Sequence, residues 1–265
     1  QETVLDFLAC GIDAKKSIVF IQSQIKEHAE LANLLQNITP IGELQRMTQF
    51  KDKSKKEKTV GAGLLMYPVL QAADILLYET DVVPIGEDQK QHLELAKNIV
   101  RRFNNRFGKT FKEPKVKSVE NGSRIMNLNK PMKKMSKSEP RGCIFLNDEP
   151  QIIEEKIKAA VTDSEKKIYF DRQKRPAVSN LLNIYSLCHN APAKNMPEYE
   201  KTGSANLKKD LTEVLIKKLK PIREKRKELE KKPAYIKQLL EEGRKRADKI
   251  AKETMKEVKQ KMGLI

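Results

Sequence analysis

Val82-Val83-Pro84-Ile85-Gly86-Glu87-Asp88-Gln89 is the stretch from which the fold is read. Its first four residues form a short apolar run, the pattern of a β-strand. Gly86 follows at once, and a long helix is expected from about Gln89 to Phe107. A strand that passes directly into a helix points to an α/β fold. Asp88, with Gln91 three residues on, fits a helix N-cap and its partner in the first turn. The position has a second meaning. In open α/β sheets ligands gather at the carboxyl ends of strands, and a glycine there lets a ligand come close to the backbone.

Before this stretch lies a helix, Tyr67 to Tyr78. Leu70, Ala73 and Leu77 make an apolar stripe at helical spacing, and Tyr67, Gln71, Asp74 and Tyr78 make a polar one. Asp74 stands out, because an acid between Ala73 and Ile75 is costly to bury without a partner. Either a neighbouring backbone group or lysine satisfies it, or it waits for a donor on a ligand. Further upstream, Ile18-Val19-Phe20-Ile21 reads as a buried strand of a parallel sheet. Helices are expected at Val4 to Ala9, with Gly11 as C-cap, at Glu27 to Gln36, and at about Ile41 to Phe50. Lys51 to Lys58 reads as a basic linker that offers further cations.

Downstream, Ile125-Met126-Asn127-Leu128 leads into a polar loop, Lys133-Lys134-Met135-Ser136-Lys137-Ser138. Its lysines are flexible point charges, suited to a phosphate that moves, and its small hydroxyls can bond phosphate oxygens. Such a loop suits stabilising charge on a triphosphate while a group leaves it. Charge alone would equally describe a solvated basic loop. Cys143 to Leu146 is a further apolar run read as a strand. From Glu149 the pattern is helical: Ile152 to Val161, Val178 to Cys188, Leu207 to Leu219 and Tyr235 to Met262, punctuated by Pro176, Pro192, Pro197, Pro221 and Pro233. The expected organisation is a Rossmann-like parallel sheet domain over residues 1–140, followed by an all-helical domain over 141–265.

The 265 residues carry a net charge of +17, which favours a polyanionic partner, nucleic acid first. An excess of 11 positive charges lies between Lys201 and Ile265. A general preference for Lys over Arg is the plainer explanation of the same number. No apolar run approaches the roughly 20 residues that cross a membrane. Cys10, Cys143 and Cys188 form no CxxC pair, and His28, His92 and His189 are scattered, which argues against a metal site and for a reducing compartment.

Lys134 to Ser138 reads KMSKS, which resembles the mobile ATP-binding loop of class I aminoacyl-tRNA synthetases. Tyr67-Pro68-Val69-Leu70-Gln71-Ala72-Ala73-Asp74-Ile75-Leu76, Gly86-Glu87-Asp88-Gln89-Lys90-Gln91-His92 and KMSKS, in this order, resemble the tryptophanyl-tRNA synthetases of bacterial or mitochondrial type. Gly42 to Lys51, Ala160 to Asp163 and Ser179 to Leu182 agree, so the resemblance covers essentially the whole chain. It implies activation of L-tryptophan with ATP and Mg2+, transfer to tRNA(Trp), a helical anticodon-reading domain, a homodimer, and a cytoplasmic or mitochondrial-matrix location. By motif match Asp74 receives the indole N–H, with Tyr67, Gln71, Val83, Ile85 and Gln89 lining the pocket. That fits the chemistry of indole, a donor with no acceptor. Gly86, Glu87, Asp88 and Ile125 would hold the adenosine side of ATP. Lys134, Met135, Ser136, Lys137 and Ser138 would meet the phosphates with Lys53, and Lys134, Ser136 and Lys137 would be catalytic. Two departures stand out. Gln71 replaces the Met of many members, and the HIGH-type strand-loop-helix that starts the family has no counterpart. The expectation is a chain inactive alone. Rival readings are a non-catalytic RNA-binding or dimerising fragment or paralogue, and the tyrosyl sibling.

Overall fold

The computed structural model describes residues 2–55, 57–118, 124–165, 167–189, 192 and 203–265, without the side chains of Glu87 and Ser118. In chain order its elements are α1 (Glu2–Ala9), α2 (Glu27–Gln36), α3 (Ile41–Arg46), α4 (Thr48–Ser54), α5 (Ala62–Leu76), β1 (Val82–Ile85), α6 (Lys90–Phe107), β2 (Lys115–Ser118), α7 (Pro150–Ala159), α8 (Pro176–His189), α9 (Gly203–Glu230) and α10 (Pro233–Lys261). They form two compact units, residues 14–119 with 235–265, and residues 1–13 with 120–234.

The first unit holds the sheet. β1 and β2 pair in parallel, with Val82 opposite Lys115 and Ile85 opposite Ser118. Parallel neighbours need a crossover, and α6 supplies it. α6 is amphipathic and buries Leu93, Ala96, Ile99, Val100 and Phe103. α5 contributes Val69, Ala72, Ala73 and Leu76 to the same core, and α2 adds Leu31 and Leu35. Ala247, Ala251, Met255 and Val258 of α10 complete it. Each fully buried large aliphatic side chain stabilises the fold by about 1.5–3 kcal/mol.

In the second unit Leu207, Leu211, Leu215 and Leu219 line one face of α9, four residues apart. They meet Ile153 and Ile157 of α7 and Leu181 and Leu182 of α8. α1 is tied to α9 by Arg226, which pairs with Glu2, Asp6 and Glu230.

The α/β class holds: a small parallel sheet accompanied by many helices. Several local expectations need correction. Ile18 to Ile21 is extended but has no ladder partner among the described residues. The apolar run reports burial instead: Ile18 and Phe20 pack against the core, and Gly243 of α10 lies so close to the Val19 carbonyl that a Cβ would overlap it. Cys143 to Leu146 is likewise no strand. Cys143 is buried after a short 3-10 turn at Pro140–Gly142, and the Phe145 N–H donates to Asp148 Oδ2 at 2.9 Å. The helix expected over Ile41 to Phe50 is two, broken at Met47, whose extended backbone buries its side chain. The second of them carries half of the expected linker as α4. The N-cap position of α6 falls on Gln89 rather than Asp88, and its side chain makes no capping hydrogen bond. Pro221 lies inside α9 without ending it, and Pro197 lies outside the described residues. β2, with its alternating Lys115-Val116-Lys117, had no counterpart in the sequence reading. Compactness follows a different line from the division expected at residue 140: α10 completes the core of the sheet unit, and residues 124–140 belong to the helical unit.

Candidate functional site

α5 presents Tyr67, Gln71 and Asp74 of the expected polar stripe, half-buried against buried Ala72, Ala73, Ile75 and Leu76, and Tyr78, also half-buried, stands in the turn just past its end. The acid is not left alone. Gln22 Nε2 donates to both Asp74 oxygens at 2.8 Å, and His28 Nδ1 lies 2.6 Å from Oδ1. His28 Nε2 lies 2.8 Å from the Tyr78 hydroxyl. His28 is buried in the first turn of α2, with its ring against Phe20 and Tyr78. Burial pushes the ionisation of Tyr78 up, and the carboxylates of Asp74, Glu27 and Asp248 push it further. Asp74 keeps about a third of its side chain exposed, at 34%. Its partners are thus neither backbone nor lysine but two side chains from a different segment. Gln22 and Tyr78 were absent from the expected pocket, and His28 had been set aside.

One turn and more towards the start of α5, Tyr67 belongs to a second network. Its hydroxyl lies 3.1 Å from His92 Nε2 and 3.3 Å from Gln49 Oε1, and its one proton serves a single one of these acceptors at a time. His92 Nδ1 lies 2.8 Å from Gln89 Oε1, and Gln89 Nε2 donates to Asp88 Oδ2 at 2.9 Å. Burial, and then the Lys53 ammonium, lower the pKa of His92. The Gln89 Oε1 facing Nδ1 can only accept, so Nδ1 carries the proton of the neutral ring and Nε2 accepts. Lys53 stands over the Tyr67 ring at 5.1 Å, a cation–π contact. Val83 and Ile85, two residues apart on β1, share one side of the strand, with Val83 packed on the core and Ile85 buried. Gly86 is exposed, and a Cβ there would stand 2.9 Å from Asp88 Oδ1. The structure therefore ties Tyr67, Gln89 and Asp88 into one bonded chain, with Lys53 beside it. Gln71 lies on the same face of α5, between Tyr67 and Asp74.

In the other unit the KMSKS stretch is a tight hairpin-like turn. Met126 and Lys134 form an antiparallel bridge, the Asn127 N–H donates to the Lys133 carbonyl at 2.8 Å, and the Met135 N–H donates to the Ile125 carbonyl at 2.9 Å. Asn180 of α8 holds the other edge: its amide accepts from the Met126 N–H and donates to the Met126 carbonyl, both at 2.8 Å. Asn127 is buried and organises the turn, accepting from the N–H groups of Asn129 and Lys130 and donating to Glu139. Glu139 takes the ammonium groups of Lys130 and Lys133, at 3.0 and 3.7 Å, and Lys130 before Lys133 holds its carboxyl below the usual range. Lys134 and Lys137 are exposed and have no ion pair among the described residues. Ser136 and Ser138 share a hydroxyl hydrogen bond at 2.9 Å. Of the three lysines in the stretch, the geometry therefore frees the two that lie within KMSKS.

Gln22, His28, Tyr78, Asn127 and Asn180 are the residues that sequence reasoning missed. Only Tyr78 carried a periodic signal, as the fourth member of the α5 stripe. Gln22, His28 and Asn180 act across 46 to 54 residues of sequence, a distance that no local pattern spans, whereas the side chain of Asn127 acts within its own turn.

The family described as class I tRNA synthetases (W and Y) matches residues 1–220. The tryptophan–tRNA ligase of Bacillus subtilis is 49% identical over 261 residues, 97% of this chain and 79% of that protein. Among solved structures, the tryptophanyl-tRNA synthetase of Mycoplasma pneumoniae superposes with a TM-score of 0.89 at 34% identity, covering 99% of this chain and 81% of its own. That of Campylobacter jejuni, in complex with ADP and tryptophan, gives 0.81 at 34% identity, with 99% and 82% covered. The chain belongs to the class I tRNA synthetases of the tryptophan and tyrosine group, and within them to the tryptophan–tRNA ligases.

Proposed function

We propose that Asp74 is the acceptor for the indole N–H of tryptophan, and that Lys134, Ser136 and Lys137 meet the triphosphate of ATP as tryptophanyl-adenylate forms. The observation that carries this is the state of the Asp74 carboxylate. Among the described residues, Oδ1 takes bonds from Gln22 and His28, and Oδ2 takes one from Gln22. Each oxygen offers about two lone-pair directions, so one on Oδ2 remains for a donor. The carboxylate is held on two sides and still partly open. Tyr67, Gln71, Val83, Ile85 and Gln89 complete the tryptophan pocket in this reading. Gly86, Glu87, Asp88 and Ile125 take the adenosine side, and Met135, Ser138 and Lys53 support the phosphates.

The reaction is ATP plus tryptophan giving the adenylate and pyrophosphate, then transfer of tryptophan to the tRNA 3′ end. Mg2+ travels with the triphosphate, as a hard cation that prefers phosphate oxygens and water, and is assigned no side chain. The Campylobacter neighbour, described with ADP and tryptophan, supports the ligand classes. Residues 141–265 are proposed as the anticodon-reading part, a homodimer as the working assembly, and the cytoplasm or mitochondrial matrix as the place of work. No helix of the described residues is long and apolar enough to cross a membrane.

The test is Asp74→Asn in the full-length protein. Tryptophan affinity is expected to fall by about 1.5–3 kcal/mol, the worth of a charged acceptor to a buried donor, with ATP binding kept. An unchanged tryptophan Kd, measured by calorimetry, sinks the assignment.

A further inference from the structure

We infer that His28 is a positioning residue for tryptophan recognition, holding Asp74 as a fixed, proton-free acceptor at the end of a hydrogen-bonded chain that starts at the Tyr78 hydroxyl. The inference rests on the reading of Asp74 as the indole acceptor. Asp74 lies in the last turn of α5 and Tyr78 in the turn that follows it, and one imidazole reaches both.

The direction of each bond follows from the partners. An ionised carboxylate only accepts, so the proton between His28 and Asp74 belongs to Nδ1. With Nδ1 as the donor of a neutral ring, Nε2 accepts, and the Tyr78 O–H donates to it at 2.8 Å. Burial and the surrounding carboxylates keep that phenol protonated. The opposite tautomer would set two lone pairs against each other across the 2.6 Å between Nδ1 and Oδ1. The ring has no room to turn away: His28 is buried, with Phe20 and Tyr78 at centroid distances of 5.9 and 5.4 Å.

The consequence is selectivity. A carboxylate fixed by Gln22 and His28 cannot swing into water to suit a ligand that lacks a donor. A ligand whose ring N–H is replaced by sulfur then leaves a charge without its partner, which is the costly case. Loosening Asp74 lowers that cost and narrows the choice.

The experiment is ATP–pyrophosphate exchange by the full-length protein, with tryptophan and with β-(3-benzothienyl)alanine, in the wild type, H28L, H28N, Y78F and D74N. H28L is expected to raise the tryptophan KM about tenfold or more and to narrow the preference for tryptophan by a similar factor, with the ATP KM within about twofold. H28N, whose amide nitrogen can stand in for Nδ1–H, restores most of both. In the wild type, imidazole 15N shifts show the proton on Nδ1, and Y78F moves the ring towards the Nε2–H form. If D74N loses the preference while H28L and Y78F keep it, the inference falls and the Asp74 assignment stands. If D74N keeps the preference, both fall. Should H28L not fold, the 15N spectrum decides: a wild-type ring protonated only on Nε2 overturns the proposal, and the Nδ1–H form with its shift in Y78F supports it.

Discussion

Lysines of the same loop have different occupations. Lys130 and Lys133 are spent on Glu139, whereas Lys134 and Lys137 carry no ion pair among the described residues. If the free pair follows pyrophosphate as it leaves, its contacts strengthen in the transition state and are weak before it. Lys137→Ala is then expected to cost on the order of 3 kcal/mol in the rate of adenylate formation, a hundredfold or more, with little loss of ATP affinity. Pre-steady-state exchange at saturating ATP measures this, and a wild-type rate would leave the loop a solvated turn. Glu27 poses the opposite problem. It is buried, and its Oε2 has no hydrogen-bond partner. A buried carboxylate with one oxygen left without a hydrogen bond, and the Lys252 ammonium as a through-space partner, still outweighs the roughly 0.3–1 kcal/mol that an acid contributes at a helix start. Glu27→Leu is expected to raise stability by about 1 kcal/mol, read from the urea midpoint, and a lower midpoint would contradict it. Asp74 was legible as an acid out of place. Its holders, Gln22 and His28, were not, because nothing in the local pattern of either segment announces the other.

Helices were the legible elements, because burial on one side of a helix imposes its period on the sequence. α2 was read to its ends, α6 and α8 nearly so, and α5 was found but starts five residues earlier than expected, at Ala62, and ends at Leu76. β1 was read from three β-branched residues around Pro84. Apolarity misled at Ile18 to Ile21 and Cys143 to Leu146, where Ile18, Phe20, Cys143 and Ile144 are sheltered without neighbouring strands and Ile21 and Leu146 are exposed. β2 was hidden by its lysines, since a strand needs hydrogen bonds and not hydrophobic side chains. The turn at 126–134 depends on a feature that sequence does not display, the tight approach of Gly142 to Asn127, where a Cβ would overlap the amide. Asn127 cannot yield easily, because it holds the N–H groups of Asn129 and Lys130. Gly142→Ala is expected to cost about 1–3 kcal/mol of stability and to lower exchange activity by displacing the KMSKS turn. Unaltered melting and exchange together would show the turn to be more compliant than its geometry.

For the whole molecule, charge and connectivity matter most. The excess of 11 positive charges from Lys201 to Ile265 is expected to make tRNA binding strongly salt-dependent, since each phosphate contact releases counterions. Filter binding that stays flat from low to physiological salt would remove this region as the tRNA surface. The fold class and the family motifs were legible at this scale. The discontinuous units were not, because no linker marks the returns of the chain. Those returns govern the order in which the protein can be made. Arg226 closes on Glu2 and Asp6 across 224 and 220 residues, and Arg246 reaches the Ala14 carbonyl across 232. A nascent chain leaving the ribosome therefore holds α1 idle until α9 emerges. The sheet unit stays open-faced until Ala247, Ala251, Met255 and Val258 arrive with α10. For most of translation both cores are incomplete, and protection of the growing chain by chaperones matters more for this protein than for one folded from consecutive segments.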